Sequence, residues 1–102
     1  MSQLVSLSKD NHNLHWYATS AVFEWVADFI RARVDDPEIS EELCRDVLSG
    51  YLFVGDLPDR TRAQIIRALR DDLVPAMEAG PPVQPVFEAK VRDLARLAAA
   101  RQ

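Results

Sequence analysis

The chain has one cysteine, three glycines and no long hydrophobic run, and each scarcity excludes a class of protein. Cys44 has no second thiol to pair with, which excludes an internal disulfide framework. No apolar stretch approaches the ~20 residues that a membrane-spanning helix needs. The few glycines form no loop of the kind that cradles phosphates. We therefore expect neither a membrane protein nor a nucleotide-binding one.

Basic charge is also scarce, since the net charge is −4 at pH 7. Proteins that bind nucleic acid generally present a basic surface, so we expect no nucleic-acid partner. The N-terminal residues have no basic region followed by a long apolar one, which is the pattern of a secretion signal. With the free thiol, this predicts a cytoplasmic protein in a reducing compartment.

What the chain does have is an ordinary globular composition over 102 residues, with 48% apolar residues, which is enough for one core. Apolar residues recur with helical spacing in four segments, and proline or glycine separates them. The pattern predicts a single domain over residues 1–102. It is all-α, a compact four-helix domain with helices at about 17–34, 37–49, 58–74 and 85–100.

Residues 1–13 show no helical period and are rich in serine and asparagine, which favour turns and caps. We predict a flexible N-terminal arm, which Leu4, Val5 and Leu7 would fasten to the core. The segment 51–54 is apolar and short. It is interpreted as a buried connector, an extra turn of the second helix, or a strand for which no partner is evident.

The second helix has the clearest boundaries. Asp36 is placed to cap its N-terminus, Pro37 suits the first helical position, and Gly50 can take the left-handed conformation beyond its end. Its predicted buried stripe is Ile39, Leu43, Val47 and Leu48. In the third helix, Pro75 should end or kink the helix near Val74, because proline lacks the N–H and crowds the preceding turn.

His12 and His15 are spaced to share a helical face, but a zinc site needs three or four ligands and the chain has no other histidine. No nucleophile lies in a recognisable turn such as G-x-S-x-G, so a general base would have nothing to activate. Cys44 is interpreted as a small buried apolar residue. We predict no metal, no cofactor and no enzymatic activity.

Arginines crowd the third helix, where Arg60, Arg67 and Arg70 fall within about an 80° arc. One interpretation is a helix that contacts DNA phosphates. Asp71 shares the same arc and lies four residues after Arg67. A self-neutralised solvent-exposed face is therefore the preferred interpretation.

The excess negative charge is concentrated between Asp35 and Asp46, where six acidic residues face one base, Arg45, for a net −5. One interpretation is a solvated helix face. The other is a protein-binding surface made of Glu38, Glu41, Glu42 and Asp46, with Tyr51 as an aromatic anchor, because interfaces join aromatic anchors to a charged surround. Acidic charge would also steer a basic partner.

An acidic second helix followed by Tyr51 resembles the layout of small helical immunity proteins. These neutralise basic nuclease toxins through an acidic helix and nearby tyrosines. The resemblance implies a non-catalytic inhibitor with a basic protein partner. Two alternatives stay open: a module that self-associates through the alanine-rich fourth helix or through 51–54, and a small-ligand binder or enzyme using the His12/His15 region.

Overall fold

The computed structural model describes residues 3–7 and 14–100, which form three short strands and five α-helices. The strands are β1 (Gln3–Ser6), β2 (His15–Ala18) and β3 (Tyr51–Phe53). The helices are α1 (Ser20–Arg31), α2 (Pro37–Ser49), α3 (Asp59–Asp71), α4 (Leu73–Ala79) and α5 (Pro85–Ala100). A single 3-10 turn, Val54–Asp56, joins β3 to α3.

The strands correct the prediction of an all-α four-helix domain: the protein is mostly helical and carries a small three-stranded sheet. The strand order is β2-β1-β3. β1 is antiparallel to β2 and parallel to β3, and Val5 is the residue opposite both Trp16 and Leu52. These three side chains are buried, so one face of the sheet closes the core.

Residues 3–7 of the predicted arm are part of the fold. Val5 and Leu7 are fully buried, as the prediction that they fasten the arm to the core requires. Gln3–Ser6, however, form a strand that was not predicted, and its pairing with two strands draws this segment into the core. The rest of the predicted arm, residues 1–2 and 8–13 with His12, lies outside the described residues. The same pairing explains why the first helix begins at Ser20, the later of the two starts that the sequence allows, since Tyr17 belongs to β2. The helix ends at Arg31 and not at Val34.

Helix α2 spans 37–49 as predicted. The Asp36 carboxylate accepts a hydrogen bond from the Glu38 N–H at 2.9 Å and so caps the N-terminus. Gly50 ends the helix with φ of +85°, the left-handed conformation that suits glycine. One assignment within the helix is wrong: Leu48, predicted in the buried stripe, is 89% exposed.

The predicted third helix is two helices, with the break at Asp72 and not at Val74. Pro75 lies in the first turn of α4, where an N–H has no intrahelical acceptor. The missing N–H of Pro75 therefore costs no helical hydrogen bond. A new helix begins at Leu73, two residues before the proline, and continues through it. The predicted fourth helix corresponds to α5, with the same bounds, 85–100.

One continuous core holds these elements together, and α1 contributes six buried residues to it. The apolar residues whose helical spacing predicts the first, third and fourth helices are buried, apart from Phe87, which is partly buried. The buried ones are Val22, Val26, Phe29, Ile30, Ile65, Ile66, Leu69, Leu73, Val91, Leu94 and Ala98. Trp16 fastens β2 to α5, because its indole Nε1–H donates to the Lys90 carbonyl at 2.9 Å. Among the described helices none is both long and apolar enough to cross a bilayer.

Candidate protein-binding surface

Helix α2 presents three carboxylates on one exposed face. Glu38, Glu41 and Glu42 are all exposed, and the helical rotation of ~100° per residue places them within an arc of about 100° that excludes the buried Ile39 and Leu43. We call this surface the acidic face and define it as Glu38, Glu41 and Glu42 with Asp46 at its edge. The first three predicted site residues therefore lie side by side, directed to solvent.

Asp46 differs from the other three because it is partly buried. Burial raises the pKa of its carboxyl above the ordinary value, and the Glu42 charge one turn earlier raises it further. Arg45 acts in the opposite direction and is the weaker influence. Asp46 also lies in the last turn of α2, where negative charge is unfavourable to the helix dipole.

The acidic face is not neutralised by neighbouring bases. Within residues 3–7 and 14–100, no lysine or arginine nitrogen lies within 4.0 Å of a carboxylate oxygen of Glu38, Glu41, Glu42 or Asp46. Arg45 stands in the middle of the face but forms no ion pair there. The negative charge is therefore available to an external cation.

The arginines of α3 and α5 behave in the opposite way. Arg67 and Arg70 both contact Asp71, at 3.9 and 2.7 Å, so the predicted pairing holds for these two arginines. Arg60 takes part in none of the ion pairs of the described chain, so the predicted face is neutralised only in part. Arg92 pairs with Glu88 at 3.2 Å, and Arg96 pairs with Asp93 at 2.8 Å. The hydrogen bonds from Arg70 hold the pKa of Asp71 below its ordinary value. These helices keep most of their charge in local pairs.

Immediately after α2 in the chain, β3 exposes two aromatic rings. Tyr51 is 47% exposed and Phe53 is 43% exposed, while Leu52 between them is fully buried. The two rings stack with centroids 6.1 Å apart and planes 10° from parallel. We call Tyr51 and Phe53 the aromatic pair. It follows α2 directly, because Gly50 alone separates Ser49 from Tyr51.

The strand register extends this apolar surface across the outer face of the sheet. Leu4 of β1 lies opposite both Tyr51 and Tyr17, and Tyr17 is 53% exposed. Leu48 adds another exposed apolar side chain in the last turn of α2. Phe53 and Leu48 were not among the predicted site residues. The rotation of α2 could have identified Leu48, since it lies ~140° around the helix from Leu43.

The histidine region forms no helical site. His15 is in β2, so it does not lie on a helical face as predicted. His12 lies outside the described residues. Where the structure describes the chain, no three histidine, cysteine or acidic side chains are grouped to hold a metal ion. Cys44 is half-buried on α2.

The alanines considered for self-association are partly used inside the fold. Ala98 is fully buried and Ala95 is half-buried, because α5 packs mainly against α3 and α4. Only Ala99 and Ala100 are exposed on that helix end. The small side chains therefore serve the close packing of α5 within the domain.

Comparison of the chain with family models, curated proteins and solved structures finds no match.

Proposed function

We propose that the protein is a non-catalytic protein-binding module whose acidic face and aromatic pair together receive a basic protein partner. The observation that carries the proposal is that the most negative helix has no internal ion pairs and leads directly into exposed, stacked aromatic rings. In α3 and α5, by contrast, all four acidic side chains form ion pairs with arginines.

Each part of the surface has a separate role. The carboxylates attract a positively charged partner and raise its association rate, an effect that salt screens. Tyr51 and Phe53 supply apolar contact area that water leaves on binding, and such residues commonly carry most of the binding energy at interfaces. Because the two rings already stack on each other, little side-chain freedom remains to be lost when a partner covers them.

In its most concrete form, the module is an inhibitor of immunity type. Binding to a basic enzyme would cover the cationic surface that the enzyme uses for an anionic substrate. The protein would then need no catalytic group of its own. This form of the proposal specifies which surface of the partner is bound, namely its cationic substrate-binding surface. It is tested by enzyme inhibition once a partner has been captured.

The test is affinity capture from a lysate of the source organism, compared between the parent protein and the Glu41→Lys/Glu42→Lys variant. Both residues are exposed, so the substitutions should leave the fold intact. We expect a basic protein that the parent captures and the variant captures at least about tenfold less, since reversing two contacting charges costs more than 1.4 kcal/mol.

A matched control is Glu24→Lys/Glu78→Lys, which changes the net charge by the same four units, from −4 to 0. Glu24 on α1 and Glu78 on α4 are exposed, lie outside α2 and take part in none of the ion pairs of the described chain. The control should capture the same protein as the parent. Equal capture by all three folded proteins would remove the acidic face from the proposal.

A further inference from the structure

Strand β3 forms an edge of the sheet, with β1 on one side and no described strand on the other. The register with β1 is fixed by the Leu4 N–H, which donates to the Gly50 carbonyl at 3.1 Å, and by Leu4 lying opposite Tyr51. In a parallel ladder, alternate residues of a strand direct both backbone groups toward the same neighbour.

This register determines which backbone groups face the open side. Leu52 is the residue whose N–H and carbonyl point to β1, because Leu4 and Ser6 flank it in the pairing. The N–H and carbonyl of Tyr51, and the N–H of Phe53, therefore point away from β1. Three backbone hydrogen-bonding groups therefore point outward from the edge strand that carries the aromatic pair.

The side chains around this edge suit an added strand. Tyr51 and Phe53 lie on the outer face of the sheet and are exposed, while Leu52 lies on the inner face and is fully buried. Alternate side chains of a neighbouring strand would pack on the two rings, as cross-strand pairs do within a sheet. β3 carries no lysine or proline, the residues that commonly block an exposed edge.

Charge selects the occupant of the edge. From Asp35 to Asp56 there are seven acidic residues and one base, a net of −6, and β3 lies near the end of this segment. A second copy pairing at the same edge would bring two such segments together and be repelled. The opposite edge, β2, faces Lys90 and Arg96 of α5 across a groove and has no comparable negative charge. A basic segment is the complementary partner for β3.

We propose that β3 binds an extended, lysine- or arginine-rich segment of the partner protein as a fourth strand of the sheet. Main-chain hydrogen bonds to Tyr51 and Phe53 would give affinity, the aromatic pair would contact alternate side chains, and the acidic face would attract the basic ones. This inference rests on the proposed function, because the same acidic face supplies the attraction.

The first measurement uses a synthetic seven-residue peptide of alternating lysine and valine as the probe. Backbone amide exchange is followed by NMR on the full chain, with and without the peptide. We expect exchange at the Tyr51 and Phe53 amides to slow at least about tenfold when the peptide is bound, because new hydrogen bonds protect them. Binding without protection of these two amides would overturn the inference.

The second measurement separates strand pairing from simple charge attraction. N-methylation of every second residue of the peptide removes all the N–H donors along one edge of an extended strand and leaves the charge unchanged. Two peptides, methylated at the lysines or at the valines, are compared with the parent peptide. We expect one of them to bind about threefold to tenfold more weakly, since it loses the N–H that would donate to the Tyr51 carbonyl. Equal binding of all three would contradict the inference.

A variant of the protein tests the same edge from the other side. Phe53→Pro removes the Phe53 N–H and the ring, whereas Phe53→Ala removes only the ring. Proline is tolerated at an edge position whose N–H does not pair within the sheet. Phe53 has φ of −102°, about 40° from the value that proline prefers, so the folding of this variant is checked first. We expect Phe53→Pro to bind the peptide about threefold to tenfold more weakly than Phe53→Ala. Equal affinities would contradict the inference, and the methylated peptides provide the test if the proline variant does not fold.

The outcomes distinguish the inference from the proposed function. If Glu41→Lys/Glu42→Lys loses the peptide but the Tyr51 and Phe53 amides of the parent stay unprotected, the acidic face remains a basic-partner site and the strand addition is wrong. If the peptide binds the parent and the charge-reversed protein equally, the acidic face does not attract basic segments. The proposed function then fails, and the inference that rests on it fails with it.

Discussion

Helix α2 and helices α3 and α5 all carry many charged residues, but they use them differently. In α2, four acidic residues face one base, for a net of −3. In α3, four arginines face two aspartates, and in α5 three bases face two acids, for nets of +2 and +1. The acids of α3 and α5 are spaced for ion pairs with the bases, and several such pairs form.

In α2, Glu38 and Glu42 are four residues apart, as are Glu42 and Asp46, so these acids face one another. Arg45 lies four residues after Glu41, but the two form no ion pair. Like charges at this spacing destabilise a helix by ~0.2–0.5 kcal/mol per pair. The acids of α3 and α5 are paired with arginines, whereas those of α2 form no ion pair within the described chain and repel one another. The acidic face therefore lowers the stability of α2. This difference is the reason for our proposal that the acidic face meets an external partner.

The largest expected effect separates the two sides of α2 itself. Leu43→Ala should reduce the free energy of unfolding by about 2–5 kcal/mol, because Leu43 is fully buried and its removal leaves a cavity. Leu48→Ala should change it by less than about 0.5 kcal/mol, because Leu48 is 89% exposed. Urea unfolding of both variants measures the difference. Equal losses would mean that Leu48 is buried in solution, which would contradict the exposed position described here.

The next effect concerns the turn that joins the acidic face to the aromatic pair. Gly50→Ala should cost about 1–2 kcal/mol, because Gly50 has φ of +85° and a side chain there is strained. An added Cβ would also lie 3.4 Å from the Gln3 side chain. Gly80→Ala is the matched control, since Gly80 has φ of −89° and room for a Cβ. A control that loses as much stability as Gly50→Ala would contradict this account of the turn.

Much of the helical framework could be predicted because its signals are local. Asp36-Pro37 and Gly50 bound α2 through capping and backbone geometry that neighbouring residues determine alone. The sheet could not be predicted in this way, since β1 pairs with β3 across more than forty residues. The pattern of four apolar residues at 51–54 also hides the alternation, because Tyr51 and Phe53 are apolar and exposed while Leu52 and Val54 are apolar and buried.

For the candidate site, charge could be read directly but surroundings could not. Glu38, Glu41 and Glu42 are exposed as a solvent-directed face requires, whereas the partial burial of Asp46 depends on how α2 packs against the rest of the fold. Phe53 entered the site only through its register in the sheet. The exposure of Phe53 follows from the pairing of β3 with β1, which cannot be deduced from the residues next to Phe53 in the sequence.

A smaller effect should have opposite signs in the two regions. Glu42→Gln removes repulsion with Glu38 and Asp46 and should raise the free energy of unfolding by about 0.2–0.5 kcal/mol. Glu88→Gln removes the ion pair with Arg92 and should lower it by a similar amount. Thermal unfolding at low salt, where screening is weakest, is the measurement. The same sign for both variants would erase the distinction between the helices.

The smallest effect is in the pH dependence of stability. Asp46 has a raised pKa in the folded state, so its ionised form is disfavoured and stability falls as pH rises from its ordinary value of 3.8 through the folded value. Asp46→Asn should therefore be more stable than the parent at pH 7, and the difference should vanish below pH 3.8.

Asp71 gives the opposite comparison, because Arg70 lowers its pKa. Asp71→Asn should lose stability at pH 7 and regain parity in acid. Unfolding curves at pH 7 and in acid check both variants. Loss of stability in Asp46→Asn at pH 7 would show that its carboxylate makes a favourable contact.

The most direct test of the central claim is the affinity of the captured partner, measured by calorimetry at low and high salt for the parent, Glu41→Lys/Glu42→Lys and Glu24→Lys/Glu78→Lys. The account predicts that the parent and the control bind alike, that salt weakens both, and that the charge-reversed protein binds at least about tenfold more weakly. Equal affinity of all three proteins, or a loss that is as large in the control, would contradict it.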